Sequence, residues 1–325
     1  MNILKSTTRS LMAAGLVTAL ATPALAKDVR IASHVSSTSP LYANAEMFAA
    51  RIGKKIPSLT FKFYPGGQLG KEKALIDNVR LGSLEMAIVA SGVLKLDPKL
   101  GIFDLPWLFP NRASAERALG GEFGNEVKKE IETKQGFIVL GIYENGFRHV
   151  VNTKRAINTP ADMKGLKIRV TGSVYKRDGF TAMGADPVPV AWKETFTAIQ
   201  QGVVDGAEAA LYGIYGAKLY EITKYLSLTS HTWSPSFLIA SKSFWNSLTA
   251  DQKKAMHEVA DGMTKDAFDQ AAKLEQGYLE KMKGKIVVNK VDPAPFQTQA
   301  KVVYDKYTKA YGDKWIKLIR AAETK

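Results

Sequence analysis

Two arginines at the ends of apolar runs are the side chains best placed to do chemistry. Arg169 interrupts the alternating run Leu166, Ile168, Val170, and Arg148 sits in Phe147-Arg148-His149-Val150-Val151. A guanidinium there presents a planar fork that can grip a carboxylate through two parallel hydrogen bonds. An exposed strand residue or a structural ion pair is the more ordinary account of each arginine, of Arg148 above all. Glu208, after the glycine at 206, could neutralise a buried arginine, which is costly when left alone. Trp192 could wall a pocket or pack in a core.

The groups that catalysis needs are missing or badly spaced. The chain has no cysteine and no G-x-S-x-G, so neither a thiol nor a nucleophile elbow is present. His34, His149, His231 and His257 include no H-x-x-x-H pair, and no G-x-G-x-x-G follows a strand, so no metal and no cofactor is expected. The glycine-rich stretch before Lys71 is not a phosphate loop, because Glu72 stands where a Ser or Thr would ligate magnesium. What remains is binding.

The segment 165–211 must hold these residues. It reads as a strand at 166–170, a helix, an extended edge at Pro187-Val188-Pro189, a helix at 193–201 stopped by Gly202, and a buried strand at 203–206. This is the rhythm of a parallel α/β layer, which takes ligands at the carboxyl ends of its strands. Upstream, strands are expected at 29–33, 59–64 and 85–90, with helices starting at Pro40 and Glu72. The aromatic loop of Phe103, Trp107 and Phe109 reads as core or hinge packing. A central strand at 137–143, a turn at Glu144-Asn145-Gly146 and a new strand from Phe147 suggest a crossing between domains.

Downstream, a short helix at 215–224 and a strand at 236–241 precede a capping box at Thr249-Ala250-Asp251-Gln252. The box opens one amphipathic helix to about 283, roughly 45 Å long and therefore able to bridge two lobes. A strand at 285–289 and a closing helix at 295–310 complete the chain.

The 325 residues are enough for two domains without disulfide staples. Lys5 and Arg9, the apolar run 11–20 and Ala24-Leu25-Ala26 form a secretory signal peptide over 1–26, so the product is expected to be exported and not inserted in the membrane. The net charge of +14 is spread over scattered lysines. With export, that favours a field drawing in small anions over nucleic acid binding.

Seven motifs then occur in one order: YPGGQLG, FDLPWLF, NGFRH, MKGLKIRV, MGADPVPV, AIQQGVVDGAE and KLYEITKYLSLTSH. Together they resemble the solute-binding proteins of tripartite ATP-independent periplasmic (TRAP) transporters, in the C4-dicarboxylate-binding group. The resemblance implies an α/β two-lobed periplasmic-binding-protein fold, a Venus flytrap with a long helix spanning both lobes. The lobes are expected at 27–145 with 235–275, and at 146–234 with 276–325. It implies that Arg169 clamps a ligand carboxylate, that Arg148 supports the ligand or the closed form, and that Trp192 packs on the ligand. His34, Ser91, Glu208, Ala209 and Tyr212 are expected to line the same cleft. Where relatives read DGQENP this chain has Ala209 in place of asparagine, and Gly172 and Ala90 replace polar residues of the sialic-acid binders. Losing those side chains points to a smaller or less polar acid: a dicarboxylate, a keto or hydroxy acid, or an aryl acid. The implied partner is a pair of TRAP membrane permease subunits. An exported enzyme acting on organic acids, or the binding component of an ATP-driven importer, is the alternative.

Overall fold

In the computed structural model, which describes residues 27–323, the chain starts with β1 (Lys27–Ser33). The expected signal peptide, 1–26, lies outside the described residues. Ser39 caps α1 (Pro40–Lys55) by accepting from the Tyr42 amide at 3.3 Å, and Pro40 occupies the first turn, where its missing N–H is harmless. β2 (Leu59–Tyr64), α2 (Glu72–Leu81) and β3 (Met86–Val89) follow, so that β1 pairs in parallel with β2 on one side and β3 on the other. After two 3-10 turns come α3 (Arg112–Leu119) and α4 (Glu122–Gln135). As the sequence suggests, Phe103 and Phe109 are core, packed with Phe123 and Trp233 at ring separations of 5.3 to 6.3 Å.

β4 (Phe137–Asn152) is one strand of 16 residues. The second half of the chain adds α5 (Pro160–Met163), β5 (Lys167–Val170), α6 (Val174–Ala182), β6 (Asp186–Pro189) and α7 (Thr195–Gln200). β7 (Gly206–Ala210), α8 (Leu211–Gly216), α9 (Leu219–Ile222) and the long β8 (Tyr225–Ser241) come next. α10 (Lys242–Asn246), α11 (Ala250–Gly262), α12 (Thr264–Met282), β9 (Val287–Lys290), α13 (Ala294–Tyr311) and α14 (Lys314–Glu323) end the described chain.

All nine strands form one mixed sheet, ordered β2-β1-β3-β8-β4-β7-β5-β6, with β9 beside β8. The fold is two-lobed because β4 and β8 run antiparallel along each other through both halves. β3 pairs with the C-terminal half of β8, while β7 pairs with the C-terminal half of β4 and β9 with the N-terminal half of β8.

Several expectations need correction. Glu144-Asn145-Gly146 is not a turn but a register shift within the continuous β4–β8 ladder. The three residues are buried between neighbours that pair their backbone, and this overrides their turn propensity. The strand expected at 203–206 instead starts at Gly206 and runs to Ala210, which puts Glu208 inside a strand. Only glycine fits at 206, since a Cβ there would lie 2.0 Å from the Val151 carbonyl oxygen.

The single long helix is two. α11 ends at Met263 (φ −97°, ψ 0°), whose side chain is fully buried, and Thr264 donates its hydroxyl back to the Asp261 carbonyl at 3.0 Å. α12 makes the crossing alone: Ala267 and Phe268 enter cores built on β1, β3 and β4, whereas Tyr278 and Met282 pack with Ile199, Leu219 and Leu226. Its 19 residues span roughly 28 Å. α14, not anticipated, packs on α3 and α4 with Trp315 against Phe123. Among the described residues no helix is long and apolar enough to cross a membrane.

Candidate functional site

The parallel strands of both lobes send their C-terminal loops toward one cleft. β1 leads to His34, β3 to Ala90 and Ser91, β5 ends at Arg169 and Val170, and β6 leads to Trp192. The loops meet across it: Lys95 Nζ lies 3.7 Å from where a Cβ on Gly172 would sit.

Arg169 is 3% exposed, and among the described residues no carboxylate is paired with it. Its Nε donates to the Val190 carbonyl at 2.9 Å, and its guanidinium carbon lies 5.2 Å from the Trp192 ring centroid. Nη1 is buried and has no hydrogen-bond partner. Burial pushes the guanidinium down to about 10, Glu208 opposes that shift, and Arg148 adds to it. A buried guanidinium normally has its donors matched, so this one stands out as a cation with a donor to spare.

Arg148 is different. Its Nε and Nη2 both donate to the Glu208 carboxylate, with Nη2 2.9 Å from Oε1 and also 3.0 Å from the Glu208 carbonyl. This is the structural ion pair that the sequence left open, and it uses the face of the fork that a ligand would need. Lys176 Nζ sits 3.0 Å from Asp104 and 3.7 Å from Glu208 Oε2, and His231 Nε2 is 3.6 Å from the same oxygen. Burial alone would raise Glu208, but the charges of Arg148 and Lys176, the hydrogen bonds from Arg148 and the nearby His231 hold its carboxyl well below the usual range. His231 is driven down to about 4 by burial, against the pull of Glu208. Glu208 therefore compensates Arg148, not Arg169.

The other expected residues divide. Trp192 is half-buried over Arg169, as a pocket wall would be. Tyr212 is half-buried, and its phenol is pushed up to about 12 by burial, with Arg148 opposing and Glu72 adding to the shift. His34 is half-buried with Nδ1 unpaired and Nε2 3.9 Å from Glu72 Oε1, and Ser91 lies half-buried in the loop after β3. Ala209 sits in the apolar cluster beneath Trp192 and Tyr212.

Sequence reasoning missed Glu72 as a site residue. An acid in the first turn of a helix reads as dipole complement, yet its Oε1 accepts the Ala90 amide at 2.6 Å, at the cleft end of β3. The missed signal is the pairing of His34 and Glu72 with two strand ends. A second network lies along the crossing strands: Arg112 forks onto Glu144 at 2.7 Å and reaches Glu275 of α12 at 2.5 Å, with His149 Nε2 3.7 Å from Glu275. A surface cavity of about 720 Å³ lies elsewhere, between α3, α4, the α11–α12 junction and α14. No group of three or more potential metal ligands occurs among the described residues.

Comparison with known proteins places the chain in a family. Residues 31–310 match the family model described as bacterial extracellular solute-binding protein, family 7 (DctP). The chain is 32% identical over 255 residues to the 2,3-diketo-L-gulonate-binding periplasmic protein YiaO of Escherichia coli, covering 78% of this chain and 77% of that protein. A TRAP periplasmic solute-binding protein from Polaromonas, solved bound to D-erythronate, is 31% identical with a TM-score of 0.84, covering 90% of this chain and 98% of that one. The sugar-acid-binding protein DctPAm of Advenella mimigardefordensis, solved with galactonate, is 26% identical with a TM-score of 0.84, covering 92% and 99%. With the match spanning nearly all described residues, the chain belongs to the DctP family of extracellular solute-binding proteins.

Proposed function

We propose that this protein captures a small organic acid anion in the periplasm and delivers it to a TRAP membrane permease, with Arg169 as the carboxylate clamp. One observation carries the reading: a buried guanidinium stacked on Trp192, with a free Nη1 and no acid of its own. The anion enters between the lobes and pairs with Arg169. Closure then excludes water, and the lower local dielectric strengthens the pair. Arg148, held by Glu208, stiffens the wall beside it, and Trp192 and Tyr212 flank the ligand. The lobe division proposed with it is 27–145 with 235–275 and 146–234 with 276–325, although α14 packs on α3 and α4, and Val303 and Tyr307 of α13 join the core around Phe103 and Phe123.

Among the expected acids a hydroxy acid fits best. Gly172, Ala209 and Ala90 offer no side-chain hydrogen bond, yet Glu72, Ser91, Tyr212 and Lys95 bring polar groups to the same loops. The relatives described with galactonate and D-erythronate favour the same class. Isothermal titration of wild type and Arg169→Ala against a panel of hydroxy and sugar acids tests the clamp. The variant should lose at least about 2 kcal/mol, the scale for truncating one partner of a buried charge pair. Unchanged affinity would remove Arg169 from the mechanism.

A further inference from the structure

The mouth of the cleft carries a second cation. Lys95 ends the 3-10 turn that follows β3, and its side chain runs to the loop between β5 and α6 on the other side. Nζ lies 3.7 Å and Cε 4.0 Å from where a Cβ on Gly172 would sit. Apart from the chain neighbours of Gly172, nothing else comes within 4 Å of that point, so the ammonium faces space that a side chain at 172 would take up. The two sides are held in this relation. The Tyr175 ring packs on Gly101, where a Cβ would lie 2.4 Å from Cδ2, and Lys176 Nζ sits 3.0 Å from Asp104. The first turn of α6 is thereby docked on the 3-10 turn Pro98–Asp104, just beyond Lys95.

No acid of the protein claims this ammonium: among the described residues no carboxylate lies within ion-pair distance of Lys95. The nearby acids are committed elsewhere. Asp97 holds Lys134 and the Lys99 amide, Asp104 holds Lys176, and Glu72 accepts the Ala90 amide. Residues 171–176 bring no acid from the facing side. Depth separates Lys95 from the clamp, because Arg169 is buried whereas Lys95 and Gly172 are exposed. An acid whose carboxylate takes Arg169 at the floor therefore presents its far end to Lys95 at the mouth. An oxygen there accepts from the ammonium. A hydrocarbon end displaces water from the ammonium on closure and offers no hydrogen bond in return.

We infer that Lys95 is a specificity-determining residue that reads the far end of the ligand, selecting acids that end in oxygen over acids that end in hydrocarbon. The inference rests on Arg169 holding the carboxylate. Of the acids expected from the sequence, it disfavours the aryl acids.

Acids matched except at that end test it. Galactonate and 6-deoxygalactonate, D-erythronate and 4-deoxy-D-erythronate, and succinate and butyrate each set an oxygenated end against a methyl group. Isothermal titration of wild-type protein should show, in whichever series binds, the oxygen-ended acid about tenfold tighter, the scale of one hydrogen bond from a charged donor. Lys95→Met keeps the stem without the charge and should narrow that gap at least about threefold, whereas Lys95→Arg keeps a charged donor and should preserve it. The gap is a ratio of two affinities in one protein, so a general loss of stability does not move it. A wild-type gap under about threefold overturns the assignment, as does a gap that Lys95→Met leaves intact or that Lys95→Arg loses equally. Benzoate or pyruvate bound as tightly as any oxygen-ended acid overturns it too. Each of these results leaves the carboxylate receptor standing. If none of these acids binds, the receptor reading falls and the assignment with it.

Discussion

Replacing Arg169 by methionine should make the empty protein more stable while destroying ligand binding. Methionine keeps the length of the buried stem and removes the charge. In the empty cleft, burial depresses the guanidinium to about 10 from an ordinary value above 12, a displacement of roughly 3 kcal/mol against the charged form. Because the folded-state value is lowered, that penalty is present in full at every pH below about 10 and fades only above it, so a measurement at pH 7 sees all of it. The substitution also gives up the Nε–Val190 hydrogen bond and the stacking on Trp192, each about 1 kcal/mol. The net gain is about 1 kcal/mol, which in a chain of this size raises the melting temperature by about 2 to 4 °C. Thermal unfolding with and without a bound acid is the assay. Wild type should gain stability with ligand, by about 2.7 kcal/mol at a hundredfold excess over Kd, and the variant should not respond. A variant that melts below wild type and still responds to the acid would refute the view of Arg169 as an unmatched charge awaiting its partner.

Glu208→Ala leaves Arg148 and Lys176 buried without their shared anion, and should cost about 3 to 5 kcal/mol in urea unfolding. His231 is lowered to about 4, so the folded state resists protonating it. Stability should be full above the ordinary histidine range and fall by about 3 kcal/mol as pH drops from about 6.5 to 4, a slope that His231→Gln should reduce. Gly206→Ala forces a Cβ onto the Val151 carbonyl oxygen at 2.0 Å, and should destabilise by at least about 1 to 3 kcal/mol while weakening ligand binding through the displaced β7. Thr249→Ala removes the capping box of α11 and should cost about 1 kcal/mol without altering affinity.

The parallel α/β layer was legible because each piece carried a local signal: alternation at Ile168 and Val170, a proline-fixed edge at Pro187 and Pro189, a glycine stop at Gly202. Arg169 was legible for the same reason, as a charge at a strand end. What escaped detection depends on contacts distant in sequence. Glu144-Asn145-Gly146 carries turn residues, and only the β8 partner across the sheet keeps it extended. The stripe running through Met256, Met263 and Phe268 is continuous in helical period, so nothing local marks the bend at Met263, which the packing of its buried side chain imposes. Whether Arg148 or Arg169 would take Glu208 could not be read from spacing, because the answer lies in the antiparallel register of β4 against β7, which sets Val150 opposite Glu208. Glu72 looked like an ordinary first-turn acid until the end of β3 was placed beside it.

The sharing of β4 and β8 between the lobes also governs how the molecule is assembled. Strand β3, which closes the β2-β1-β3 group, finds its inner neighbour only in 237–240, and β9 finds its own only in 225–228. Neither half can complete its hydrogen-bonded edge from the residues that precede position 225, so a nascent chain would keep both unfinished until the same late segment arrives. Pairings this distant close slowly, and they close for both halves together: two lobes in architecture are a single unit in folding.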